Sequence, residues 1–184
     1  MIRTFIAFEL PDDIKSHLGE VISCLKQKNR PVKWVHPEGL HVTAKFLGSI
    51  DESLVEPLSR DMDEIAALKK PLRVSLSGIG AFPDRRRPRV IWTGLKGDTD
   101  AMAQIAGEID RMCARYGMKP ETRPFRTHVT MGRLKMPSVV DLAQEVKAKE
   151  FSINRIVLYK SELSPSGARY IVLHWSVLGQ EKGE

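Results

Sequence analysis

Cysteine is almost absent from this chain of 184 residues, which holds only Cys24 and Cys113. The two lie far apart in stretches that read as amphipathic helices, a spacing that excludes a zinc knuckle and supports no disulfide framework. Both are expected to be small buried apolar residues. Long hydrophobic runs are missing too, and nothing approaches the ~18 apolar residues that a membrane-spanning helix needs. The opening stretch MIRTFIAFEL is too short for a signal peptide and runs at once into Pro11, Asp12 and Asp13. The expectation is a cytoplasmic protein with no membrane contact. Low-complexity segments and flexible linkers are lacking, as is the cluster of carboxylates and histidines that binuclear metal phosphatases use.

The residues present have ordinary globular proportions, 42 % apolar and 28 % charged. The length suits one domain spanning residues 1–184, with two lobes. A chain of this size can bury roughly 70 % of its unfolded surface, so it needs no structural metal. A net charge of +6 hints at a polyanionic partner but does not select one.

Hydrophobic periodicity divides the chain into strands and helices. Residues 2–10, 32–36, 40–48, 72–80, 89–95 and 127–134 read as strands. Ile14, Leu18, Val21 and Leu25 mark one helix, and Leu58, Met62, Ile65 and Leu68 mark a second with Pro57 near its first turn. A third spans 99–116 and stops at Gly117. A further helix is expected near 138–148, then two long strands at 151–162 and 169–178. Ser164-Pro165-Ser166-Gly167 joins the last two as a hairpin. The fold class is α+β, a bilobal arrangement of two mostly antiparallel sheets whose halves echo one another in element order.

One phrase occurs twice. His41-Val42-Thr43 opens HVTAKFLG, and His128-Val129-Thr130 opens HVTMGRL. In a strand, His and Thr two apart project from one face while the Val between them enters the core. Two such motifs in matching halves can face each other across a cleft. Phosphodiester chemistry suits that arrangement, because one imidazole can take a proton from the nucleophile while the other supplies one to the leaving oxygen. The hydroxyls of Thr43 and Thr130 can donate to the phosphate oxygens. Two histidines with poor hydroxyl partners make a weak zinc site, so no metal and no cofactor is expected.

The segments KWVHPEGLHVTAKFLG, RTFIAFELP, RPRVIWTGL, PFRTHVTMGRL and LYKSEL together resemble the two-histidine (2H) phosphoesterase superfamily. Within it the chain is similar to the RNA 2′,3′-cyclic phosphodiesterase, or 2′-5′ RNA ligase, family over nearly its whole length. Ala44 stands where that family usually has Leu, and Thr127 where Pro is common. The resemblance implies hydrolysis of a terminal RNA 2′,3′-cyclic phosphate to a 2′-phosphate, with His41 as proton donor and His128 as proton acceptor. It also implies a reversible 2′-5′ ligation needing no ATP, and no GxxxxGK[ST] loop is present. The expected partner is an RNA end, with tRNA fragments among the candidates, and the expected state is a monomer. A phosphodiesterase for a small cyclic nucleotide or a 2′-5′ oligonucleotide is the alternative enzyme. A non-catalytic RNA-binding module is the alternative from another class.

Substrate contacts are expected from five further residues. Arg133 matches the family's H-x-T-x-x-R extension, although strict alternation would point it away from His128. Arg126 shares the face of His128. Phe46 is either core or a base-stacking surface. Tyr159 and Ser161 match a family position near the cleft. Asp84-Arg85-Arg86-Arg87-Pro88-Arg89 is the densest charge in the chain, either an RNA backbone contact or a solvated loop. Trp34, Trp92 and Trp175 read as core, and His17, His36 and His174 as non-catalytic.

Overall fold

The computed structural model describes residues 1–164 and 167–179. The turn residues Pro165 and Ser166 of the expected hairpin lie outside the described residues. Among the described residues nine strands form two sheets in which every pairing is antiparallel. The first sheet runs β3 (His41–Ile50), β1 (Ile2–Glu9), β8 (Arg155–Ser164), β9 (Gly167–Val177). The second runs β2 (Lys33–Trp34), β6 (His128–Arg133), β5 (Val90–Gly97), β4 (Leu72–Phe82), β7 (Glu150–Ile153). One cluster of buried apolar side chains draws on both sheets and on all three helices.

The helices form where apolar side chains recur on one face. In α1 (Asp12–Lys28), Ile14, Leu18, Val21, Ile22 and Leu25 are buried. Acidic residues in its first turn and lysines in its last complement the helix dipole. In α2 (Val55–Ala67), Leu58, Met62 and Ala66 are buried, and Pro57 falls in the first turn, where no helical hydrogen bond is lost. In α3 (Thr99–Ala114), Met102, Ile105, Ile109 and Met112 face inward. Gly117, at φ 79°, ends the turn that follows. Helices α2 and α3 cover one face of the first sheet. His174 Nε2 (2.8 Å) and Ser176 Oγ (2.7 Å) both bond Asp63 Oδ1, tying β9 to α2. His174 thus lies on the helix-covered face of the sheet.

Four expectations are corrected. Residues 138–148 form no helix. Asn29, just past α1, accepts from Asp141 N at Oδ1 (2.7 Å) and donates from Nδ2 to Asp141 O (2.8 Å). Those bonds occupy backbone groups that a helix would need for itself, and Leu142 is buried beside them. The expected strand 151–162 is two strands, broken at Asn154. Its first part pairs with β4 in one sheet and its second with β1 in the other. Cys113 is buried as expected, but Cys24 is exposed. Trp175 is 55 % exposed rather than core, with the Arg155 guanidinium 6.0 Å from its ring.

Gly80 in β4 is where close approach decides the residue. A Cβ there would sit 2.2 Å from the Trp92 ring, which lies against the backbone of the neighbouring strand. Gly80→Ala is expected to lower stability by ~1–3 kcal/mol through overpacking. An unchanged melting temperature would show that the indole moves aside freely.

Candidate active site

Each half of the site starts from a strand whose first residue is the motif histidine. In β3, Val42 is fully buried while His41 and Thr43 face the other way, toward the cleft. In β6, Val129 is fully buried while His128 and Thr130 do the same. The rings are held alike. His41 Nδ1–H donates to Gly39 O at 2.8 Å, and His128 Nδ1–H donates to Arg126 O at 2.7 Å. A carbonyl only accepts, so each neutral imidazole carries its proton on Nδ1 and leaves the Nε2 lone pair available. On His41 that lone pair accepts from Thr43 Oγ1–H at 3.0 Å.

A bulge follows each motif. Ala7 stands opposite Thr43 but Ile6 opposite Lys45, so Ala44 is an extra residue in β3. Trp92 stands opposite Thr130 but Ile91 opposite Gly132, so Met131 is an extra residue in β6. An extra residue inverts the alternation beyond it. Lys45 therefore turns away from the cleft to ion-pair with Asp110 of α3. Phe46 turns toward the cleft, 64 % exposed, its ring 6.1 Å from that of Phe5. Arg133, which alternation would have turned away, comes round to the face of His128. Its positive charge bears on both imidazoles. The two motifs thus place unlike residues at one offset, an aromatic in the first half and a cation in the second.

Aromatic rings pack around the histidines. Phe5 lies 4.8 Å and Tyr170 5.4 Å from His41, ring to ring, and Phe82 lies 5.1 Å from His128. Tyr159 stacks on Phe5 at 5.2 Å, with its ring 6.3 Å from His41. Burial pushes the Tyr159 phenol up to about 12, so it stays a hydrogen-bond donor at neutral pH. Ser161 pairs across the hairpin with Tyr170. Arg126 lies outside β6. Its carbonyl fixes His128 and its guanidinium stands 5.5 Å from the Phe82 ring centre.

Burial also sets the charge of the imidazoles. It pushes His41 down to about 4, against a smaller opposing pull from the Gly39 carbonyl. The cations Arg133 and Lys15 and the His128 ring add to the lowering. Burial, then Arg133 and Arg126, lower His128, again against a carbonyl. Both rings are therefore neutral near pH 7 in the free protein. Among the described residues no three His, Cys, Asp or Glu side chains cluster as metal ligands. No described helix is long and apolar enough to cross a membrane.

A family model, the LigT-like phosphoesterases, matches residues 8–92 and 95–170. The chain belongs to this family. An RNA 2′,3′-cyclic phosphodiesterase of Methanocaldococcus jannaschii is 34 % identical over 180 residues, covering 94 % of this chain and 98 % of its own. One of Aquifex aeolicus is 33 % identical over 186 residues, covering 97 % and 98 %. A crystal structure from Thermus thermophilus matches with a TM-score of 0.85 at 27 % identity, covering 98 % of this chain and all of that one. The Escherichia coli LigT structure with 3′-AMP shares the fold at TM-score 0.82 and 24 % identity, covering 97 % and 99 %.

In this LigT-like phosphoesterase, the paired motifs and their face were legible in the sequence. The neighbours Phe5, Tyr170, Phe82 and Lys15 were not. Phe5 sits in a run that reads as plain core. Tyr170 comes from β9, three places from β3 in the sheet order, and its ring lies against Gly39 beside His41.

Proposed function

We propose that this phosphoesterase hydrolyses RNA 2′,3′-cyclic phosphate ends to 2′-phosphates by acid–base catalysis without a metal. The observation that carries the reading is the pair of imidazoles with matched Nδ1–H bonds, each with a Thr two residues on along its strand, and the Arg133 charge acting on both. Water attacks phosphorus in line with the 3′ oxygen and gives its proton to His128 Nε2. The P–O3′ bond breaks, and protonated His41 gives its Nε2 proton to the departing oxygen. Exchange with solvent then resets both rings. Thr43 and Thr130 donate to the non-bridging oxygens, and Arg133 offsets their growing charge.

Phe46, Tyr159 and Ser161 take the terminal nucleoside, with its base stacked on exposed Phe46. Arg126 reaches the phosphate side from above Phe82. An RNA 5′-hydroxyl in place of water gives the 2′-5′ linkage by the same two proton transfers, with the ring strain of the cyclic phosphate supplying the energy. Fragments of tRNA that carry such ends fit the same chemistry.

The test is turnover of a defined RNA with a 2′,3′-cyclic phosphate end in excess EDTA. The expected product carries a 2′-phosphate, formed at the rate seen without chelator. A 3′-phosphate product, or activity that returns only with added metal, overturns the mechanism.

A further inference from the structure

The histidine pair accounts for one terminal phosphate and leaves the strongest charge in the chain unused. Asp84–Arg89 links β4 to β5 at the end of the second sheet where Arg133 closes β6. Val90 pairs with both Phe82 and Arg133, and Arg133 pairs with Lys33 of β2. Leu134 N donates to Arg89 O at 2.9 Å, and the Arg89 guanidinium donates to Lys135 O at 3.3 Å. Lys33, Arg133, Arg89, Lys135, Arg86 and Arg87 thus share one end of one sheet, and all are exposed.

The loop is shaped to present these charges. Its one carboxylate, Asp84, accepts from Arg86 N (2.7 Å) and Arg87 N (3.0 Å). Arg85 is turned back to donate to Ile79 O, and Pro88 is buried. The side chains of Arg86 and Arg87 therefore extend into solvent. None of the six cations forms an ion pair among the described residues, whereas Lys28, Lys45, Lys69, Lys149 and Arg155 all do so elsewhere. Unpaired cations gathered at one end cost self-repulsion, which a bound polyanion relieves. Strand spacing of ~4.8 Å places the β4 end about 10 Å from Arg133.

We propose that this end of the second sheet is a track for the phosphodiester backbone of RNA beyond the reacting phosphate. On the phosphodiesterase reading, which it extends, the track makes a polynucleotide end a better substrate than a mononucleotide. The variant Arg86→Gln/Arg87→Gln/Lys135→Gln removes three charges outside the catalytic cleft. With an RNA of about ten nucleotides ending in a cyclic phosphate, its kcat/KM is expected to fall ~10- to 100-fold at 0.1 M salt. With a 2′,3′-cyclic mononucleotide it is expected to match the wild type, which also shows that the variant folds. Loss on both substrates alike, or on neither, overturns the track. No loss on either is also the result expected if the charges serve an acidic protein or an anionic membrane.

Binding separates the two claims. For a fluorescent RNA of the same length ending in a 2′-phosphate, the slope of log K against log salt should flatten by ~2 in the variant, from about 0.7 per lost contact. An unchanged slope overturns the track whatever the turnover. A flattened slope in a protein whose wild type turns over no cyclic phosphate leaves the track standing and overturns the reaction.

Discussion

His41→Ala and His128→Ala are each expected to lower kcat by ~10²–10⁴-fold, the usual worth of a positioned general acid or base. On the proposed mechanism each removes the group that moves a proton on its side of the phosphate. Stability should change far less, by under ~2 kcal/mol, because each ring keeps some solvent contact and no ion pair is broken. Thermal melts beside the kinetics separate the two effects, and wild-type turnover in either variant sinks the acid–base pair. The roles are separable as well. A cyclic substrate with sulfur in place of the 3′ oxygen has a leaving group that needs no proton. It should restore much of the rate lost in His41→Ala and little of that lost in His128→Ala, and the reverse pattern would exchange the roles.

The pH profiles carry the second large effect. On the proposed mechanism the donor His41 must be protonated, yet burial pushes it down to about 4 in the free protein. The acceptor must be neutral, and His128 is also lowered, first by burial and then by arginine charge. The profile of kcat/KM reports the free protein, so its optimum is expected on the acid side of His41's ordinary 6.5. A bound phosphate anion favours the imidazolium of His41, which raises its pKa in the complex. The optimum of kcat is therefore expected about one pH unit or more above that of kcat/KM. Coincident optima would show that substrate charge does not load the donor.

Stability follows the same groups with a definite sign. A histidine lowered on folding binds protons more weakly in the native state than in the unfolded chain, so acid favours unfolding. For His41 the loss begins as pH falls through about 6.5, the unfolded value, and is complete below about 4. It amounts to on the order of 3 kcal/mol for a shift of that size. His41→Gln should remove that part of the acid sensitivity.

Local chemistry made much of the fold readable. Helical spacing located α1, α2 and α3, and alternation with Gly and Pro punctuation located most strands, because burial of one face is a local pattern. The failures share a cause. Residues 138–148 have an amphipathic pattern, but the Asn29 side chain, remote in sequence, takes the Asp141 backbone. Residues 151–162 have a continuous strand pattern, but Asn154 passes the chain between sheets, and partner choice is not written in periodicity. Trp175 reads as core and lies exposed beside Arg155, since composition does not say which sheet face a helix will cover.

For the site, the sequence by itself determined the candidate groups. Two H-x-T phrases in strands put an imidazole and a hydroxyl on one face, by the period of two that any strand imposes. The same logic pointed Arg133 away from His128 and left Phe46 undecided. Only the tertiary structure decided those, because Ala44 and Met131 enter as extra residues against β1 and β5. A bulge exists only relative to a neighbouring strand, so no local pattern announces it. The scarcity of cysteine excluded a disulfide frame, and assembly of the chain placed Cys113 inside and Cys24 outside.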